Sequence, residues 1–184
     1  KEKIDKNRFL QNLLLDNMLL VDVYNQAKKL HIENDQKRIV FLVEAKSKDN
    51  QMLLETMKGM YASGMKDFVT AVDESSVILV KALEETDGYR EVYESAKSIA
   101  DTVSAEAMVN IRVSYGTIIH ELKDVSKSYK EAGMALDVGR IFYPGHNILA
   151  YNEAWYRTAH PSASSFPLRH VSERSIWGTG CIRV

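Results

Sequence analysis

Residues 116–139 read GTIIHELKDVSKSYKEAGMALDVG, and the fold turns on this stretch. It follows an alternating run in which Val109, Ile111, Val113 and Tyr115 share one face of a strand. After Gly116 and a short link the apolar period changes from two to between three and four. Leu122, Val125, Tyr129, Ala132, Leu136 and Gly139 then fall on one side of a helix. A strand thus leads through a turn into a helix that folds back over it. Ser126, Ala132, Gly133 and Ala135 are small enough to let that helix lie close against a sheet. The pattern is that of a packing helix. Tyr129 is expected to fill the core, although its hydroxyl also has the reach for a partner or ligand.

The chain has 184 residues, enough for one domain with a proper core. It is 45% apolar and 27% charged, with a net charge of −1, so it lacks the basic footprint of a nucleic-acid binder. Its one cysteine, Cys181, allows neither an internal disulfide nor a cysteine metal cluster. The apolar runs are only a few residues long, too short for a membrane-spanning helix. No secretory signal is visible, and a cytoplasmic protein is expected. The chain begins at Lys1 rather than methionine, which suggests a fragment of a longer protein.

Outward from that stretch, the elements follow in order. Lys1 to Asp16 is expected to be helical, with Phe9, Leu10, Leu13 and Leu14 as its apolar stripe and Asp16-Asn17 as its breaker. That stripe either packs on its own domain or forms a dimer contact. A second helix is expected over Leu20–Leu30. Arg38–Ala45 is a strand with the continuous apolar run IVFLV, as in a central strand. A helix from Asp49 or Asn50 to Ala62 follows. Phe68–Val72 and Val77–Leu83 are strands joined by a tight polar turn, hence an antiparallel hairpin. A long helix runs from Thr86-Asp87-Gly88 to about Ala107. Asn147–Tyr151 is a last short strand. The order β-α-β-β-α-β-α-β after two helices predicts an α+β fold of ferredoxin-like type, an antiparallel sheet with helices packed on one face.

The pattern of a glycine after a strand, a short link, then L-x-x-x-x-x-S-Y-x-x-A-x-x-A-L-x-x-G resembles one family. It is similar to the GGDEF-like middle domain of bacterial transcriptional regulators of sugar-diacid utilisation and purine catabolism. The residues that carry the resemblance are Gly116, Leu122, Ser128, Tyr129, Ala132, Ala135, Leu136 and Gly139, and it runs from about Phe9 to Glu153. It implies three segments: N-terminal helices over 1–35 as a linker or dimer contact, a GGDEF-like α+β domain over 36–153, and a tail over 154–184. It further implies a non-catalytic regulatory and dimerisation domain that couples an upstream sensor to a C-terminal helix-turn-helix not read in this chain. DNA would be met only through that missing domain. The partner expected for the chain itself is a second copy, since two-fold DNA sites favour two-fold proteins.

True GGDEF domains join two GTP molecules, and that chemistry needs a glycine pair on the hairpin and carboxylates to hold magnesium. The matching hairpin here, Val72-Asp73-Glu74-Ser75-Ser76, keeps carboxylates and lacks both glycines. At the end of the first strand stand Glu44 and Lys46, the latter a positive charge where a second carboxylate would be useful. Glu44, Asp73 and Glu74 are therefore at most a vestigial nucleotide or metal position, and no enzyme activity, cofactor or metal is expected. No P-loop, H-E-x-x-H or G-x-S-x-G is present. His31, His120 and His146 read as turn or loop residues, and Asp124 as a dipole-favouring residue at a helix start. A second reading is a small-molecule sensing module for a diacid, purine or nucleotide, although no clustered Arg or Lys pair suits a diacid.

From Ala154 the texture changes. Trp155, Trp177, Cys181, Pro161 and Pro167 all lie there, with no period of either kind. Members of the family resembled here continue after a strand such as LAYNE with a sequence like LGIGRLIxQLP. Allowing for codon degeneracy, AWYRTAHPSASS can be encoded by bases that read LGIGRLIHQLPL one nucleotide out of frame. The tail over 154–184 is accordingly expected to be a frameshifted, non-native remnant, in which His160, His170 and Cys181 carry no role.

Overall fold

The structure, a computed structural model, describes residues 5–46, 50–61, 66–71, 73 and 75–151. The expected order of elements is present: α1 (Lys6–Leu14), α2 (Leu20–Lys29), β1 (Arg38–Ala45), α3 (Asn50–Tyr61), β2 (Phe68–Ala71), β3 (Ser76–Ala82), α4 (Tyr89–Glu106), β4 (Ile111–Tyr115), α5 (Val125–Phe142) and β5 (Ile148–Ala150). A single 3-10 turn, Leu122–Asp124, leads into α5. The tail over 154–184 lies outside the described residues.

The α+β class stands, with two helices ahead of the sheet. Two particulars differ from expectation. The five strands run β2-β3-β1-β4-β5, and while the β2–β3, β3–β1 and β1–β4 pairs are antiparallel, β5 runs parallel to β4. The length of α5 explains this. Eighteen residues span about 27 Å, so the helix carries the chain back to the end of the sheet where β4 began.

The helices also cover both faces of the sheet, not one. Ile39, Phe41, Val43, Val77 and Leu79 pack with α3 and α4, through Leu53, Met57, Val92, Ala96 and Ile99. Val40, Leu42, Ile78 and Val80 point the other way and pack with α1, α2 and α5. All eight residues of β1 are buried. A strand apolar on both faces has to be covered twice, and the stripe of α5 cannot reach the face that α4 already occupies.

The N-terminal helices belong to this second layer. Asp5 caps α1 by accepting from the Asn7 amide at 3.0 Å. The helix then ends in a Schellman motif: Asn17 N donates to Asn12 O at 3.0 Å and Asp16 N to Leu13 O at 3.2 Å, with Asp16 in the left-handed region at φ 59. Asp16-Asn17 is thus the predicted breaker. His31 plays the same part after α2, at φ 55. Phe9, Leu10, Leu13 and Leu14 are only 1–3% exposed, buried against the sheet and α5. They are not a dimer contact as the chain is folded, because its own core already uses them. Nor does residue 35 divide two packing units.

It follows that Leu13→Asp does not yield a soluble monomer of unchanged stability. It is expected to cost about 3–5 kcal/mol in urea unfolding; a native-like transition would show that α1 is dispensable to the core.

Candidate functional site

The signature residues converge on an irregularity in the sheet. β1 and β4 pair in register from Ala45↔Ile111 to Phe41↔Tyr115. The next position still has one ladder bond, Gly116 N to Val40 O at 3.2 Å, and the pairing then resumes one residue out of step at Arg38↔Ile119. One extra residue is therefore inserted around Thr117, as in a β-bulge. Its orphaned backbone groups are met by side chains. The Val40 amide donates to Ser128 Oγ at 3.1 Å, and that hydroxyl donates to the Thr117 carbonyl at 2.8 Å. The Thr117 amide donates to Glu131 Oε2 at 2.8 Å, and its hydroxyl reaches the same oxygen. From the opposite face, Tyr89 accepts from the Ile118 amide at 3.1 Å.

Gly116 and Gly139 allow the approach that this clamp requires. A Cβ on Gly116 would collide with the Ser128 carbonyl oxygen, and one on Gly139 with the Leu149 side chain of β5. Ala132, Ala135 and Leu136 bury between them. Tyr129 is half-buried against the same core, and burial, with the Asp73 charge adding, raises its pKa above the ordinary tyrosine value. Asp124 stands at the start of α5 but makes no side-chain capping bond. The signature is architectural: it seats α5 on the bulged strand.

The vestigial position lies at the other end of β1. The hairpin is beside it, since Glu44 pairs with Ser76 and the Ala45 amide donates to Ser75 O at 2.9 Å. Glu44 is buried and held by cations. Arg140 of α5 binds it in two-pronged fashion, through Nε at 3.2 Å and through Nη2. Arg112 Nη1 lies 3.7 Å from Oε2, the oxygen that Arg140 Nε also meets. Arg140 also donates to Asp137 at 2.9 Å, and Lys46 donates to Asn147 Oδ1 at 3.3 Å. The hydrogen bond to Glu44 raises the Arg140 guanidinium above its ordinary value, ahead of a smaller opposing effect of burial.

A magnesium ion does not fit here. A dication at Glu44 would face two guanidinium groups within hydrogen-bonding or ion-pair range, and like charges at that separation repel strongly in a half-buried setting. Among the described residues no three of His, Cys, Asp and Glu cluster to hold a metal. Asp73 instead organises its own turn, accepting from the Ser75 amide at 2.7 Å and the Ser75 hydroxyl at 3.0 Å. Burial pushes its carboxyl up, but the bonds from Ser75 and Ser76 together outweigh this and hold it below its ordinary value. Glu74 lies outside the described residues.

Arg140, Arg112, Glu131 and Thr117 were not singled out from the sequence. Their partners are too far along the chain for spacing to reveal: 96 residues separate Glu44 from Arg140.

Ser128→Ala leaves the Val40 amide and the Thr117 carbonyl without their partner and is expected to cost about 2–4 kcal/mol in urea unfolding; a loss under about 0.5 kcal/mol would show that the bulge closes by itself. The depressed Asp73 carboxyl contributes stability that is present above its unfolded pKa, near 3.8, and lost as pH falls through the lower folded value. Asp73→Asn should therefore flatten the decline in stability below about pH 4, and superimposable acid limbs would contradict the turn's charge dependence.

Against known proteins, the family model of the GGDEF-like domain matches residues 17–138, about two thirds of the chain. No curated protein matches. The match begins ahead of α2 and ends inside α5 at Val138, two residues short of Arg140, so it takes in the whole of the sheet except β5, together with the bulge and its clamp. On this match, and on an α+β sheet whose signature residues all serve to seat α5, the chain belongs to the GGDEF-like domain family.

Proposed function

We propose that this domain is a non-catalytic regulatory module of a bacterial transcriptional regulator, coupling an upstream sensor to a helix-turn-helix outside this chain. The observation that carries the non-catalytic part is Glu44 locked by Arg140 and Arg112. A cyclase needs that carboxylate free for a cation, and here its charge is already spent. The hairpin beside it lacks the glycines that would let backbone approach a base or phosphate.

The coupling part is supported by the second core layer. α1 lies on α5 through Phe9, Leu10, Leu13 and Leu14, and Asp16 pairs with Lys130 at 3.3 Å. A shift of whatever precedes α1 would be felt by α5, and through Arg140 by the end of β1. Control of sugar-diacid utilisation or of purine catabolism is the narrower assignment, resting on the family resemblance that Gly116, Ser128, Tyr129, Ala132 and Gly139 carry and that is common to both. Among the described residues no helix is long and apolar enough to cross a membrane.

Titration of the purified chain with GTP and magnesium in a calorimeter is expected to give no saturable heat, and incubation no cyclic dinucleotide. Saturable binding or product would overturn the non-catalytic reading.

A further inference from the structure

The ladder between β1 and β4 changes register at residues 117–119, and the core side chains there do not select which register forms. Hydrogen-bonded pairs alternate along an antiparallel ladder. In β1–β4 they run through Lys46 with Asn110 and Val40 with Gly116, by bonds of 2.8 and 3.2 Å. Continued without interruption, the next such pair would be Arg38 with Ile118. Instead Arg38 exchanges both of its backbone bonds with Ile119, each at 2.9 Å. An uninterrupted ladder would lose nothing at Arg38, since Ile118 offers it the same two groups. It would also bring the Val40 amide back to the Gly116 carbonyl.

A slip of one residue ordinarily turns every side chain to the opposite face of the sheet, and burial then fixes the register. Here the residues that would trade places are Ile118 and Ile119. Ile119 is 4% exposed in the core layer of α1, α2 and α5, and Ile118 is half-buried against the opposite layer. In the uninterrupted ladder Ile118 would fill the position of Ile119 with an identical side chain. Only the half-buried place of Ile118 changes, passing to Thr117. What selects the observed register is therefore polar: Ser128 between Val40 and Thr117, Glu131 on Thr117, and Tyr89 on Ile118. Ser128 and Glu131 stand about one turn apart on α5. Between them Lys130 ties the helix to Asp16, at the end of α1, at 3.3 Å.

We propose that segment 117–119 is a register switch thrown by movement of α5. With α5 seated, Ser128 and Glu131 hold the bulge open. With α5 lifted, the ladder closes, and the stored residue, about 3.3 Å of chain, passes into the link ahead of the helix. The clamp and the link thereby give α5 two discrete positions rather than a continuum. This rests on the regulatory reading above and supplies its moving part, a two-state element that α1 biases through α5.

Amide nitrogen relaxation dispersion on the full chain, which reads exchange on the µs–ms scale, tests this. In the native protein the closed register is expected at no more than about 1%. Ser128→Ala is expected to raise that population about tenfold or more, with dispersion confined to the amides of residues 38–40 and 117–120. Ile118→Thr added to Ser128→Ala is expected to return the dispersion to its native level, because the closed register would then bury a hydroxyl in the place of Ile119. A clamp that served packing alone would not respond to Ile118 in this way. Should Ser128→Ala not fold, Glu131→Gln, which keeps the side-chain size, is expected to give the same pattern at about threefold. A folded clamp variant without dispersion at these amides overturns the proposal, as does dispersion that Ile118→Thr leaves unchanged. Either result leaves the GTP titration untouched, so the switch and the non-catalytic reading fail separately.

Discussion

The hydroxyl of Ser128 holds together the part of the fold on which the rest depends. It sits where the β1–β4 ladder slips by one residue, accepting from Val40 and donating to Thr117. A buried bulge without that hydroxyl would leave a donor and an acceptor unpaired, each at a cost of about 1–3 kcal/mol. With it, the bulge becomes the docking point of α5. Glu131 and Tyr89 complete the clamp from both faces of the sheet, so a defect in one ladder ties α4, α5 and the sheet into one body.

Seating α5 this way has two consequences. The helix occupies the face of the sheet opposite α4, and the layer it begins is finished by α1 and α2. It also delivers Arg140 to the C-terminal end of β1, where its guanidinium binds the Glu44 carboxylate. Gly139, immediately before it, keeps α5 close enough to β5 for this to happen. The architectural signature and the capture of Glu44 by Arg140 are thus physically linked through one helix.

Much of this was legible in the chain. The change from period two to period near four across Gly116 marks the strand and helix, and the continuous run in β1 marks a central strand. Asp16-Asn17 breaks α1 as read. The stripe Phe9, Leu10, Leu13 and Leu14 was correctly read as apolar, but amphipathicity alone does not say whether a stripe meets its own sheet or another copy. The same limit applied to the faces: IVFLV was compatible with cover on one side or on both, and element order alone suggested one.

By itself, then, the sequence determined the identity and order of the elements and the small residues that α5 needs, because these follow from local periodicity and side-chain size. The parallel β5, the slip in the ladder and its filling by Ser128, the two-sided core and the capture of Glu44 by Arg140 and Arg112 were decided only in the tertiary structure. Each depends on groups brought together from distant parts of the chain, and neither hydrogen-bond satisfaction nor charge neutralisation leaves a local spacing to read.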